Sequence, residues 1–443
     1  MARPTTRSMG ALTLFGILLA GLAGCQTVPA PPASLEYVNG RWWNGRDFAA
    51  ASVWAVGERL TFVRPPRVGR RVDLEGGYVT PPFTEGHNHW LEPARAEAYS
   101  ACHLADGVYY VRDMANLPFV ADQFRARLNR PATVDWTSTM MGFTGPGGHP
   151  VEIVDQFVAF GVLPSTWRPD YDGDAMFVVT DRAGIDAGLE RLREQGSTTA
   201  KAFLLFSERY RQSLDDPATR GNGRGMDPEL LPYLVERAHR SGLRVAAHVY
   251  SAADFRTAVS AGVDEVAHLP GTGYRRDLPA SDFQITERDA REAARRQVRV
   301  TTTVSWLGEL AREDAEAYRD ARDRIVIPNL RRLKEAGVTL LIGSDSFRNT
   351  VRVELAVLQS LGLFSGTELL AMSAATAGTA FPGARIGHLR EGYRADFIVT
   401  RGDPRADLSA TDHIIMRVKQ GEPLSLPAAA AARAGSACVE GAP

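Results

Sequence analysis

Between Val79 and about Ala384, short apolar runs of strand length alternate with longer stretches whose apolar residues recur at helical spacing. That alternation predicts an α/β fold built on parallel strands. Eight candidate strands start near Tyr78, Val108, Thr133, Thr199, Leu243, Val263, Val298 and Val338. The helices between them carry their own start and stop signals. Asp227 and Pro228 open one as N-cap and first helical residue, and Ser241-Gly242 ends it. Thr286 to Asp289 opens another in the manner of a capping box, and Ala252 to Ala261 forms a short helix. Ala321 to Ala336 predicts a third long helix, which Pro328 should kink or split. Eight strands with intervening helices predict a closed (β/α)8 barrel of the TIM type over residues 79–384. An open doubly wound sheet would call for a Gly-rich phosphate fingerprint, and none is present.

The flanks read differently. From Tyr37 to Val79 the pattern is short strands, with Val53–Val56 and Leu60–Val63 around a turn at Gly57-Glu58-Arg59. After Arg385 strands return at Ile386–Leu389, Ala395–Val399 and Ile414–Val418. Residues 35–78 and 385–425 are therefore expected to join in one small β-sandwich domain. At the N-terminus, Arg3 and Arg7 precede an apolar run from Gly10 to Gly24. The run is short for a membrane span and reads as a signal peptide, residues 1–24. It ends in Leu22-Ala23-Gly24-Cys25, which resembles the lipobox of bacterial lipoproteins. The resemblance implies cleavage before Cys25, lipidation of that residue and stable membrane anchoring through several acyl chains. Gln26, in place of Asp, leans toward the outer membrane, so an exported, periplasm-facing lipoprotein is expected. Residues 25–34 read as a Pro/Ala tether and 426–443 as a low-complexity tail. An oxidising compartment would permit a disulfide between Cys102 and Cys438, although a buried thiol and a second in the loose tail is the favoured reading.

Composition narrows the partners. The chain has 443 residues, 44% hydrophobic, with a net charge of −1 and its signs interspersed. No basic stripe suggests nucleic acid, and the length suits a barrel with a satellite domain. Oligomeric state is left open.

The chemistry lies where apolar runs end. His87 and His89 close Pro-Pro-Phe-Thr-Glu-Gly-His-Asn-His, Lys201 sits in Thr-Thr-Ala-Lys-Ala-Phe, His248 in Val-Ala-Ala-His, His268 in Glu-Val-Ala-His, and Asp345 in Leu-Ile-Gly-Ser-Asp. A parallel barrel gathers the C-terminal ends of its strands on one face. His87 and His89, two apart on a strand, share a side and can meet one ion. Alone, such a pair is weak evidence, as is a single core histidine. A lysine inside an apolar strand is costly as an ammonium. Reaction of Lys201 with carbon dioxide would give an anionic carbamate able to bridge two metals. Asp345 could ligate a metal and carry a proton, or merely cap the following helix. Two divalent cations, zinc by donor type, would meet one carbamate and one carboxylate and leave positive charge and room for a bridging hydroxide.

Together these residues resemble the amidohydrolase superfamily, whose binuclear members carry His-x-His on strand one, a carboxylated lysine on strand four, histidines on strands five and six, and an aspartate on strand eight. All six positions are filled here, and Gly392 to Phe397 fits the closing segment. Gly147-Gly148-His149 further resembles the imidazolonepropionase-like branch, which includes prolidase-type dipeptidases. One departure stands before the first ligand, where Pro-Pro-Phe-Thr-Glu replaces the usual Pro-Gly-Phe-Ile-Asp and puts Glu85 at the acid position. The resemblance implies a metal-dependent amidohydrolase in which a bridging hydroxide attacks a C–N-linked carbon and Asp345 delivers a proton to the leaving nitrogen. Dipeptides and N-acyl amino acids are the expected substrates. His149, Tyr250 and Arg348 are candidates to touch the substrate carbonyl or a carboxylate, each also readable as a turn, packing or surface residue. His103, His239, His388 and His413 fit no role beyond surface or structure. A mononuclear deaminase would need a glutamate soon after His248, and none follows. A lactonase of the same superfamily and a non-catalytic metal-binding lipoprotein are the remaining alternatives.

Overall fold

The computed structural model describes residues 34–163, 171–272, 274, 276 and 278–426. The leader, Cys25, nearly all of the tether and nearly all of the tail lie outside the described residues. No helix among the described residues is long and apolar enough to cross a membrane.

Both ends of the chain meet in one eight-stranded mixed sheet. Ser34–Trp43 is its spine, antiparallel to Phe48–Val56 and parallel to Val68–Asp73 and Tyr78–Thr80. From the other end, Phe397–Thr400 pairs with Tyr78–Thr80, and Ile414–Lys419 follows it antiparallel. Two expectations change here. The run at Tyr78 belongs to this sheet, because Pro81-Pro82 interrupts the ladder and the first parallel strand begins only at Phe83. Ile386–Leu389 forms no strand, since Gly387 takes a left-handed φ of 74° and turns the chain.

The parallel strands fall in two sheets, one of three and one of seven strands, rather than one continuous ring. Phe83–Asn88, Val108–Asp113 and Asp135–Ser138 form the first. The second runs through Met176–Val178, Gly142–Thr144, Thr199–Phe203, Arg244–His248, Glu265–Val266, Arg299–Thr301 and Leu340–Leu341. The third predicted strand is thus split: residues 135–138 serve one sheet and 142–144 the other, with Met140 at φ 58° between them. At the opposite edge, Gly86 N donates to Ile342 O (3.1 Å), Asp345 N to His87 O (2.8 Å) and His89 N to Ser346 O (3.3 Å). Met176–Val178 was not foreseen; three residues carry too little pattern to separate from loop.

Helix signals read as expected. Asp227 caps a 3-10 turn that leads into Leu231–Arg240, and Thr286 completes a capping box; Ser251 completes a second one that was not read from the sequence. Pro328 is absorbed differently from a kink: a π-helical stretch, Arg322–Val326, precedes Ile327–Glu335 and places the proline in the first turn. The mixed sheet is latched to the parallel strands by buried polar contacts. Tyr110 Oη donates to Asp396 Oδ2 at 2.6 Å, and the buried Lys419 Nζ donates to Asp135 Oδ1 at 2.8 Å. Cys102, in the helix Ala96–Ala105, is disulfide-bonded, which corrects the free-thiol reading; Cys25 and Cys438 lie outside the described residues.

Candidate metal centre

His87 sits near the end of Phe83–Asn88 and Asp345 just beyond Leu340–Leu341, and two glycines let these backbones touch. A Cβ on Gly343 would lie 2.5 Å from His87 Cβ, and one on Gly86 would lie 2.5 Å from Ile342 O. Any side chain at either position would push the two chain segments apart. Asp345 itself holds a left-handed φ of 52°, a conformation uncommon for a non-glycine residue and often found at functional sites. It caps no helix; the next one, Arg352–Ser360, begins after Val351.

The side chains converge. His89 Nε2 lies 3.0 Å and His87 Nε2 3.4 Å from Asp345 Oδ1, and the two imidazole nitrogens are 3.2 Å apart. Ligand atoms of His87, His89 and Asp345 all fall within 4.8 Å of one another. His268 Nδ1 is 3.4 Å from Asp345 Oδ2. Its ring lies 4.5 Å from that of His87 and 4.2 Å from that of His248. Lys201 is buried, lines the same cavity as His89, His248, His268 and Asp345, and feels Asp345 electrostatically. The structure therefore brings all six candidates to one place.

What these atoms lack is as telling as what they touch. Lys201 Nζ and His248 Nε2 are buried with no hydrogen-bond partner among the described residues. Buried polar atoms are nearly always paired, so such groups need a reason. Burial pushes the Lys201 ammonium down to about 7, which favours the neutral amine that can react with carbon dioxide. Burial, aided by neighbouring cationic groups, holds His87, His248 and His268 well below the usual imidazole range. Neutral imidazoles present lone pairs, and the set of four histidines, one carboxylate and one convertible lysine fits divalent metal. His87 Nδ1 lies 3.0 Å from Ala267 O, so as a donor to that carbonyl it frees Nε2 for a ligand.

Sequence reading missed several supports. Glu85, the departure from the family pattern, accepts from His87 N (3.1 Å) and Ser344 N (2.9 Å) through one carboxylate oxygen. It ties the His-x-His strand to the Asp345 loop, and burial pushes its carboxyl up to about 8. Thr303 Oγ1 is 3.1 Å from His268 Nδ1. Neither tie could be read from spacing, because Ser344 lies 259 residues from Glu85 and Thr303 lies 35 from His268.

The three substrate candidates are placed unequally. His149 packs its ring 4.6 Å from that of His248 and hydrogen-bonds Glu152 through Nδ1. Glu152 stands three residues on, at the start of the helix Val151–Ala159, a spacing that was readable. Tyr250 lies 5.0 Å from the His248 ring, and its hydroxyl donates to Asn222 Oδ1 at 3.2 Å. Arg348 lines the space beside Trp306 and not that beside Lys201. His103 is buried beside Trp90, and His239 pairs with Asp264 at 2.9 Å, both away from the centre.

Two chambers open on the centre. One, of about 860 Å³, lies toward Trp306 and Arg348; the other, of about 200 Å³, lies over Lys201, His149 and Tyr250. His89, Asp345 and Phe347 line both.

Comparison with known proteins gives a context for this geometry. Residues 171–424, more than half of the chain, match the amidohydrolase family. That stretch contains Lys201, His248, His268 and Asp345. Ochratoxinase of Aspergillus niger is 27% identical over 261 residues, covering 56% of this chain and 50% of its own. The chain thus spans about half the length of the curated relatives it matches. Among solved structures, A. niger ochratoxinase superposes with a TM-score of 0.68 at 17% identity, covering 88% of this chain and 95% of that one. A Xaa-Pro dipeptidase with bound methionine superposes with a TM-score of 0.67 at 18% identity, covering 89% and 100%.

Proposed function

The chain belongs to the amidohydrolase family, and from that premise we propose that it is a metal-dependent hydrolase of a carbon–nitrogen bond in a small substrate. One observation carries the reading: two unpartnered buried nitrogens, Lys201 Nζ and His248 Nε2, stand beside the mutually close His87, His89 and Asp345. His87, His89, Lys201, His248, His268 and Asp345 would hold two divalent ions, zinc by donor type, with Lys201 as its carbamate. Bound there, the ions would supply an acidified water and polarise the carbonyl. Asp345 would take a proton from the attacking water and pass it to the departing nitrogen, so that water adds across the C–N bond. His149 and Tyr250, against the His248 ring, are placed to hold the carbonyl or a carboxylate of the substrate.

The same proposal includes a closed (β/α)8 barrel, supported by the parallel bridge Asn88–Ser346 between the edge strands, and a β-sandwich character for the mixed sheet. It also includes export and lipid anchoring at Cys25, which rest on the sequence alone. An ochratoxinase and a Xaa-Pro dipeptidase among the similar proteins favour an amide or peptide bond over an ester. The test is elemental analysis of the full chain beside Lys201→Ala, followed by a panel of dipeptides, N-acyl amino acids and lactones. Two metals per chain, lost in the variant, with amide turnover, is the expected result. One metal unchanged by the variant, or turnover of lactones alone, would overturn it.

A further inference from the structure

Resting on that hydrolase reading, we infer that the substrate is an amide with a single apolar ring or branched chain on one side and a larger polar group on the other, and that Phe347 sets the size limit of the apolar side. The smaller chamber argues for the first part. Beyond the metal-ligating floor and the polar groups of His149, Tyr250 and Thr272, its walls are apolar, with Leu117, Ile153, Val154, Phe157, Leu163 and Phe347 among them. Asn116, a polar wall residue, spends its amide on Trp90 O and Asp113 and its carbonyl on Leu117 N. Away from His149 and Tyr250, which stand beside the His248 ring, a charged group would lose its water and gain no counter-ion, a cost that excludes it from the apolar walls. A dry cavity of about 150 Å³ holds one benzene ring. A chamber of about 200 Å³ therefore takes one ring and a short linker, and not a fused pair.

The larger chamber, about 860 Å³, differs in chemistry. Glu92, Glu309, Arg312 and Arg348 bring both signs of charge to it, beside an apolar side that includes Phe160, Trp306, Val353 and Val357. It suits a polar or zwitterionic portion of greater size. Phe347 stands at their junction, where Leu91, Ile153, Phe157 and Thr272 also line both. It lines both chambers, its ring 5.5 Å from that of His89 and 5.3 Å from that of Phe157. The scissile bond, held over the centre, would thus have its two sides sorted by polarity before any chemistry.

The experiment uses the metal-loaded full chain with two substrate series. One holds glutamine as the amine and varies the acyl group through acetyl, hydrocinnamoyl and 3-(2-naphthyl)propionyl. The other holds succinyl and varies the amine through glycine, phenylalanine and 2-naphthylalanine. In one series kcat/KM should peak at the single ring and fall about tenfold or more at the fused ring. Phe347→Ala should raise the fused-ring to single-ring ratio about tenfold, with Phe347→Leu intermediate and guarding against a misfolded alanine variant. Fused rings accepted as well as single rings by the parent, or a ratio unmoved in both variants, would overturn the inference. If the parent turns over nothing, calorimetric binding of hydrocinnamate against 3-(2-naphthyl)propionate decides. A size cut that Phe347→Leu relaxes upholds the chambers while the hydrolase reading falls; equal binding of both overturns the chambers too.

Discussion

Two ionic clusters lie within the parallel strands, and they differ in how fully their polar atoms are used. In the first, Arg112 donates from Nη1 and Nη2 to Glu265 at 2.9 and 2.6 Å, and from Nε to Gly86 O at 2.8 Å. Thr301 Oγ1 completes it with a bond of 2.6 Å to Glu265 Oε1. Burial alone would raise the Glu265 carboxyl, yet the Arg112 guanidinium and these hydrogen bonds hold it below its usual range. In the second cluster, Lys201 and His248 end without partners among the described residues. Glu265 and His268 are three residues apart on one segment, so the same backbone serves both. The contrast separates structure from site: a closed polar network has nothing left to bind, whereas a buried network with open valences calls for a ligand.

Mutation can break that contrast from either side. The largest effect is expected at the open cluster. Asp345→Asn should lower kcat by about 10²–10⁴-fold with the chain still folded, as the proton carrier is lost. Steady-state kinetics beside circular dichroism would show it, and near-normal turnover would remove Asp345 from the chemistry. At the closed cluster the cost should appear in stability instead. Arg112→Ala strands Glu265 and should cost about 3–5 kcal/mol in denaturant unfolding. The paired change Arg112→Met with Glu265→Leu should recover most of that loss, because it removes both charges together.

A smaller effect is expected where the two kinds of order meet. Glu152 orients His149 toward the centre, so Glu152→Gln should weaken turnover about tenfold while metal content stays unchanged. Elemental analysis of that variant separates lost positioning from lost metal. The smallest effect concerns Glu354, a carboxylate between the extremes. It accepts from Val304 N at 3.0 Å and from Thr302, while its second oxygen has no partner among the described residues. Burial raises its carboxyl from 4.5 to about 7. A raised carboxyl favours the native state below 4.5, and that contribution fades as pH rises through about 7. Glu354→Gln should therefore gain stability relative to the parent on going from pH 5 to pH 8, read by unfolding at both. An identical pH dependence in the two proteins would show the group to be inert.

Most of the ligand set was legible because its members lie at or just beyond strand ends, where an apolar run stops at a polar residue, while Lys201 is marked instead as a charge inside the apolar strand Thr199–Phe203. His87, His89, Lys201, His248, His268 and Asp345 could all be named from such signals, as could the capping box at Thr286, whose partner lies three residues off. Such signals are local, and local pattern survives in one dimension. The boundary at Tyr78 did not, because a three-residue strand can join either sheet and only its neighbours across the ladder decide. Nor did the break at Met140, the bond from Glu85 to Ser344 across 259 residues, or Phe347 at the junction of two chambers. Each depends on which distant segments pack together. Sequence by itself determined the donor types and their order along the chain. Tertiary structure alone decided their distances, their burial, which polar atoms were left unpaired and the shape of the space above them, because packing and desolvation act between residues that the chain order keeps far apart.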